Sequence, residues 1–246
     1  LAITLLGLAA YQLVTLAATL WGQGLVGSDV LQGYLPGAQR FLDTGSPFTA
    51  DQLAGPWVLG YHSFIHPPAA LPLFLAFLVL PLPLWWIIPI GVTTYAVSRL
   101  QPAPWAWPVM AACLVWPRST GALLFGNSDI WAMAFVAAGA VWGWPIVALA
   151  VKPTFVPLAL LAVRERRVWI AGTIAAPVML PFAALWIDWL TVIRNGGLSW
   201  SYSLVNLPLI VMPAVAWGAR PQGGGAARDR RADSAPPPAS RPDTRQ

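Results

Sequence analysis

The side chains of this chain that could do chemistry lie in a few short segments. Asp29 follows Gly27-Ser28, just beyond a long charge-free run. An ionisable group at a membrane-water boundary is costly to hold and is a functional candidate for that reason. Ser28 and Asp29 are equally suited to cap a helix, where an acid complements the dipole. His62 and His66 stand in Gly60-Tyr61-His62-Ser63-Phe64-Ile65-His66-Pro67-Pro68, ahead of an apolar segment that Pro67 or Pro68 could open as a helix. Imidazoles beside the free N–H groups of a helix start can hold a phosphate. The same spacing also suits a loop that binds nothing. Gly126-Asn127-Ser128-Asp129 opens a further apolar segment, with Arg118 at the far end of the preceding loop. Asp129 at the N-terminus of that segment reads as a helix cap. Lys152, the sole lysine, precedes Pro153 between two apolar runs. It can snorkel to the interface. In a low-dielectric setting its ammonium can instead bind an anion strongly.

Other chemistries find no support. There is no G-x-S-x-G, Walker loop or zinc signature. Carboxylates are too sparse for a two-carboxylate hydrolase. Cys113 stands alone, which excludes a disulfide framework, and no Cys or His cluster has metal spacing. No cofactor is expected, and a divalent metal is unsupported. The net charge of +5 is concentrated in one turn and the tail, which reads as membrane topology rather than nucleic-acid binding.

The elements that position these residues follow from composition. Of 246 residues 57% are hydrophobic and 9% charged, against about a quarter charged in a soluble domain. Residues 220–246 hold six Arg and three Asp, leaving eight basic and six acidic side chains for the first 219 positions. So few charges cannot solvate a domain of that size, and its surface must face lipid. The reading is an all-α polytopic transmembrane bundle over residues 1–219, with a disordered Gly, Pro and Arg-rich tail at 220–246. Residues 2–22 can cross a bilayer as a helix. Residues 22–67 form a large loop outside the membrane. Within it Val30, Leu31, Tyr34, Leu35, Ala38, Phe41 and Leu42 repeat at the helical period, predicting an amphipathic interfacial helix bent at Pro36 and stopped at Gly45. Further spans are expected near 84–99, 104–117, 129–144, 145–163 in uncertain division, 168–187 and 203–219, with 69–81 a re-entrant or membrane-surface helix; a competing count makes 129–151 one long span and strands 154–163 as a ten-residue helix. Frequent Pro implies kinks and broken helices.

Orientation follows the positive-inside rule. The Arg-Glu-Arg-Arg turn at 164–167 and the tail are cytoplasmic, which puts 117–128, 188–201 and the Asp29 loop outside.

In this order, Ser28-Asp29, Tyr34 to Phe41, Gly45-Ser46-Pro47-Phe48, His66-Pro67-Pro68-Ala69, Gly126-Asn127-Ser128-Asp129 and Lys152-Pro153 resemble the polytopic GT-C glycosyltransferases. The nearest resemblance is to glycosyltransferase family 87, which includes polyprenyl-phosphate-mannose-dependent mannosyltransferases, and it covers roughly residues 1–200. Family members typically show Tyr-Pro-Pro where this chain has His66-Pro67-Pro68, and Gly-Gln where it has Gly126-Asn127. They are longer, which implies a fragment or a decayed copy here. The resemblance implies an enzyme of a bacterial plasma membrane that moves a sugar, mannose by expectation, from a polyprenyl-phosphate donor to a lipid or glycan acceptor. It assigns Asp29 as the catalytic base. Lys152, Arg118 and His66 would meet the donor phosphate, and His62, Asn127 and Asp129 the substrate. A lipid transporter or flippase, or a non-catalytic truncated paralogue, would share the broken helices and the buried charges.

Overall fold

The computed structural model describes residues 1–60, 62–198 and 200–221. Among these residues there is no β-strand. The helices are α1 (Ala2–Gly22), α2 (Leu35–Thr44), α3 (Ala50–Ala54), α4 (Leu71–Ala76), α5 (Leu84–Leu100), α6 (Ala106–Val115), α7 (Pro117–Phe125), α8 (Asp129–Trp142), α9 (Arg166–Met179), α10 (Ala183–Asn195) and α11 (Leu207–Gly218). The fold is all-α. The disorder expected of the tail lies, beyond Pro221, outside the described residues.

Among the described residues two stretches, Ala2–Gly22 and Arg166–Asn195, are long and apolar enough to cross a membrane, and a third if α6 and α7 are one bent span. Only Leu20 of α1 is buried, and no residue of α9. Ile3, Val14, Trp169 and Ile174 all turn outward. Long helices that expose so much hydrocarbon are at home in lipid and penalised in water. The centre is α8, in which ten of fourteen residues are buried, as expected of a helix that is apolar all round. Its Ala132, Ala134, Ala137, Ala138 and Gly139 let neighbouring backbones approach. A Cβ at Gly139 would stand 2.7 Å from that of Ile146. Packed against α8 are α5, α11 and the segment that follows it.

Several expected elements differ. Residues 145–163 are not a crossing α-helix but two 3₁₀ runs, Trp144–Val151 and Pro153–Ala162. Pro145, Pro153 and Pro157 each lack the N–H that an α-helix would need there. The expected loop at 117–128 is largely α7, which Pro117 opens and left-handed Gly126 stops. It meets α6 at a 64° bend. The expected external stretch from 188 starts inside α10, so Asp188 is helical. Residues 69–81 make a 3₁₀ turn, Pro68–Ala70, and the six-residue α4.

The expected amphipathic helix is present in part, as a π turn over Asp29–Tyr34 followed by α2, which Pro36 helps to open rather than bends; Leu31 and Leu42 of the expected apolar stripe are exposed. Tyr34, Gly37 and Ala38 are buried against α4 and its surroundings, while Gln39 and Asp43 pair outside at 2.9 Å. Gly45 ends it in the left-handed conformation.

Candidate active site

Asp29 opens a π-helical turn, Asp29–Tyr34. The Leu35 N–H reaches back five residues to the Val30 carbonyl, and Pro36 has no N–H to continue the wide turn, so α2 begins there. The wide turn brings Asp29 and Tyr34, five residues apart, onto one face, where the Tyr34 hydroxyl accepts the Ser128 N–H at 3.4 Å and helps to lower the Asp29 pKa. Ser28 makes no capping bond, and its buried hydroxyl has no partner. The capping role weighed for this pair is therefore not what holds Asp29.

The α7–α8 loop supplies the opposite wall. Gly126 takes φ +70°, and its carbonyl accepts the Trp85 indole N–H at 2.8 Å. A side chain there would meet the Trp86 ring at 2.9 Å. The loop thus aims Asn127 at Asp29. Asn127 Nδ2 donates to Asp29 Oδ2 at 2.7 Å. Its Oδ1 accepts the Asp129 N–H at 3.1 Å and Lys152 Nζ at 3.2 Å. Two donors on that oxygen fix the amide's orientation, so the N–H side faces the carboxylate.

Lys152 closes the far end of this chain of contacts. It breaks the two 3₁₀ runs, and Nζ lies 2.8 Å from Asp129 Oδ1. The exposures of Lys152 and Asp129 are 5% and 0%, and the Asn206 amide donates to Asp129 Oδ2. A snorkelling lysine would be exposed, and this one is not. Asp129 stands in the first turn of α8 without a side-chain capping bond, and its carboxylate is taken up by the Lys152 ion pair because α8 enters the core at its first residue.

His66 is held by Ser128 Oγ, 3.0 Å from Nε2, and by the rings of Tyr34 and Phe74, centred 4.5 and 5.2 Å away. Burial, and then the charge of Lys152, hold its imidazole well below its usual range. That direction favours the neutral imidazole, which offers an anion one N–H. Burial pushes the Asp29 carboxyl above its ordinary range, against the opposing pull of the Asn127 hydrogen bond and the Lys152 charge. That leaves Asp29 a stronger base than a solvated carboxylate.

Asp29, Tyr34, His66 and Asn127 line one cavity of about 380 Å³, together with Gly33, Gly60 and Ser63. His66 also borders a smaller one of about 50 Å³, where it meets Lys152, Thr154 and Ser203. Four residues singled out in the sequence, Asp29, His66, Asn127 and Lys152, are thereby brought together. Asp129 joins through its ion pair and lines neither cavity. Arg118 and His62 do not join. Arg118 is exposed at the second position of α7, because the expected loop is a helix. His62 is exposed at a turn closed by mutual Gly60 and Ser63 hydrogen bonds of 3.0 Å.

Sequence reasoning missed Tyr34 as a polar group, and also Ser128, Thr154, Ser203 and Asn206. Tyr34 sat within an apolar period, and only a π turn turns it toward Asp29. Among the described residues no group of three His, Cys, Asp or Glu side chains could hold a metal. The chain matches no protein-family model, no curated protein and no solved structure.

Proposed function

We propose that the chain is a multi-pass membrane glycosyltransferase of GT-C type that moves a sugar, mannose by resemblance, from a polyprenyl phosphate to an acceptor hydroxyl. The observation that supports this reading most is the meeting of Asp29, Asn127, His66 and Lys152, up to 123 positions apart, around one pair of adjoining cavities. Asp29 takes the proton of the acceptor hydroxyl as its oxygen attacks the anomeric carbon. The bond from that carbon to the phosphate oxygen breaks, and the lipid phosphate leaves with the electron pair. Lys152, in the adjoining cavity, stabilises the growing negative charge. Asn127 holds the carboxylate in its accepting state.

The test is transfer of labelled mannose from a polyprenyl phosphate by the purified full chain, followed over pH. Since the base must be ionised, transfer should fall as pH drops through the raised value of Asp29. The acidic limb should thus lie above the ordinary carboxylate range of about 4. Asn127→Ala removes a hydrogen bond that favours the ionised form, so the limb should move further up. A limb unmoved by that change would remove Asn127 from the role.

The proposed topology puts the Asp29 loop outside the cell and Arg164, Arg166 and Arg167 in the cytoplasm. A cysteine introduced at Ser46, with Cys113→Ser, should label with an impermeant maleimide in intact cells. Labelling only after permeabilisation would reverse the orientation.

A further inference from the structure

At the end of α8 away from Asp29, two cavities share Arg167. One, of about 220 Å³, is rimmed by Glu165, Arg167 and Arg220, beside Trp142 and Trp217. The other, of about 480 Å³, is a groove between α9 and the first 3₁₀ run, walled by Trp144, Val147, Ile170, Ala171, Ile174 and Ala175. The α9 positions 167, 170, 171, 174 and 175 form one helical stripe. From Arg167 to Ala175 it runs about 12 Å along the helix axis. A guanidinium stands at its head and only hydrocarbon below.

Exposed Trp142, Trp144 and Trp169 ring the same end, as indole rings do at a membrane-water interface. The positive end of the α9 dipole opens there too, since the helix begins at Arg166. Arg220 is held at the rim by stacking over Trp217, 4.1 Å from the ring centre, and by donating to the Trp217 carbonyl at 3.0 Å. Glu165 opposes the two guanidiniums on this rim, and the local excess is one positive charge.

We infer that this is a binding site for an acidic phospholipid, with its phosphate headgroup at Arg167 and Arg220 and one acyl chain in the α9 groove. The charge of the rim selects an anion, and the apolar stripe beneath it selects an anion that carries a chain. Basic pockets at the cytoplasmic side of membrane proteins take acidic headgroups by this physics. The site needs the chain to lie in a bilayer and is independent of sugar transfer, so a failed transfer assay leaves it standing.

The experiment titrates the delipidated full chain with phosphatidylglycerol or phosphatidylcholine and reads bound lipid by native mass spectrometry. The first phosphatidylglycerol should bind in clear preference to phosphatidylcholine, and Arg167→Gln with Arg220→Gln should weaken it about fivefold for each guanidinium lost. Arg164→Gln with Arg166→Gln removes the same charge and should keep the preference. Glu165→Gln should tighten binding, and Ile174→Trp, which fills the groove, should weaken both lipids. No preference in the parent chain, or equal loss in the two double variants, would overturn the site in favour of diffuse surface charge. Displacement by glycerol phosphate as readily as by the lipid would overturn the role of the groove. Displacement by polyprenyl phosphate at lower concentration than phosphatidylglycerol would overturn the phospholipid assignment.

Discussion

Asp29→Asn should leave the chain folded and lower sugar transfer by about 10²- to 10⁴-fold, or about 3 to 5 kcal/mol of transition-state stabilisation. Folding should survive because the new amide oxygen can still accept the Asn127 N–H where Oδ2 now does, at 2.7 Å. Burial works against the ionised Asp29, so a neutral isostere relieves that cost, and thermal stability should be unchanged or slightly higher. On this reading the carboxylate costs the fold stability and is held beside a cavity of about 380 Å³. Transfer by the parent chain with full transfer by Asp29→Asn would refute the base assignment. No transfer by the parent chain would point instead to a non-catalytic relative or to a transporter.

Lys152→Met should destabilise the protein by about 3 to 5 kcal/mol, because Asp129 would be left charged and unpaired in the core. The carboxylate is fully buried and its other oxygen already takes the Asn206 amide. Asp129→Asn combined with Lys152→Met removes both charges and should recover most of the loss, since a neutral pair carries no such penalty. Thermal melting in detergent compares the three chains. The double variant then isolates the anion role from the structural one. If Lys152 meets the donor phosphate, the folded double variant should bind a polyprenyl phosphate about tenfold to a hundredfold more weakly, as expected for losing a hydrogen bond to a charged group. Binding as tight as that of the parent chain would confine Lys152 to holding α8 against the 3₁₀ runs.

Much of this protein was legible from composition and period. Fourteen charges in 219 residues point away from a fully solvated surface, and the charge-free run at 2–22 is a helix long and apolar enough to cross a membrane. The apolar period from Val30 to Leu42 located a helix here and Gly45 its stop, but of the residues that α2 buries it named Ala38 and not Gly37, and it placed the exposed Leu31 and Leu42 on the buried side. Asp29, His66, Asn127 and Lys152 stood out because polar groups in so apolar a chain are costly and few.

What only the tertiary structure decided is which of them meet. Arg118 looked as eligible as Lys152, yet Pro117 and Gly126 turn its loop into a helix that leaves it exposed. The ends of a contact such as Asp29 to Asn127 are set by how α7 and α8 pack on α5, through Trp85 and Trp86, and no local pattern records that packing. Tyr34 shows the same limit within one turn. Its place beside Asp29 follows from a π turn, and a period of 3.6 assigns it to the apolar face alone. Local residue type sets which groups are costly to bury, while the pairing that makes burial tolerable is a property of distant segments brought together.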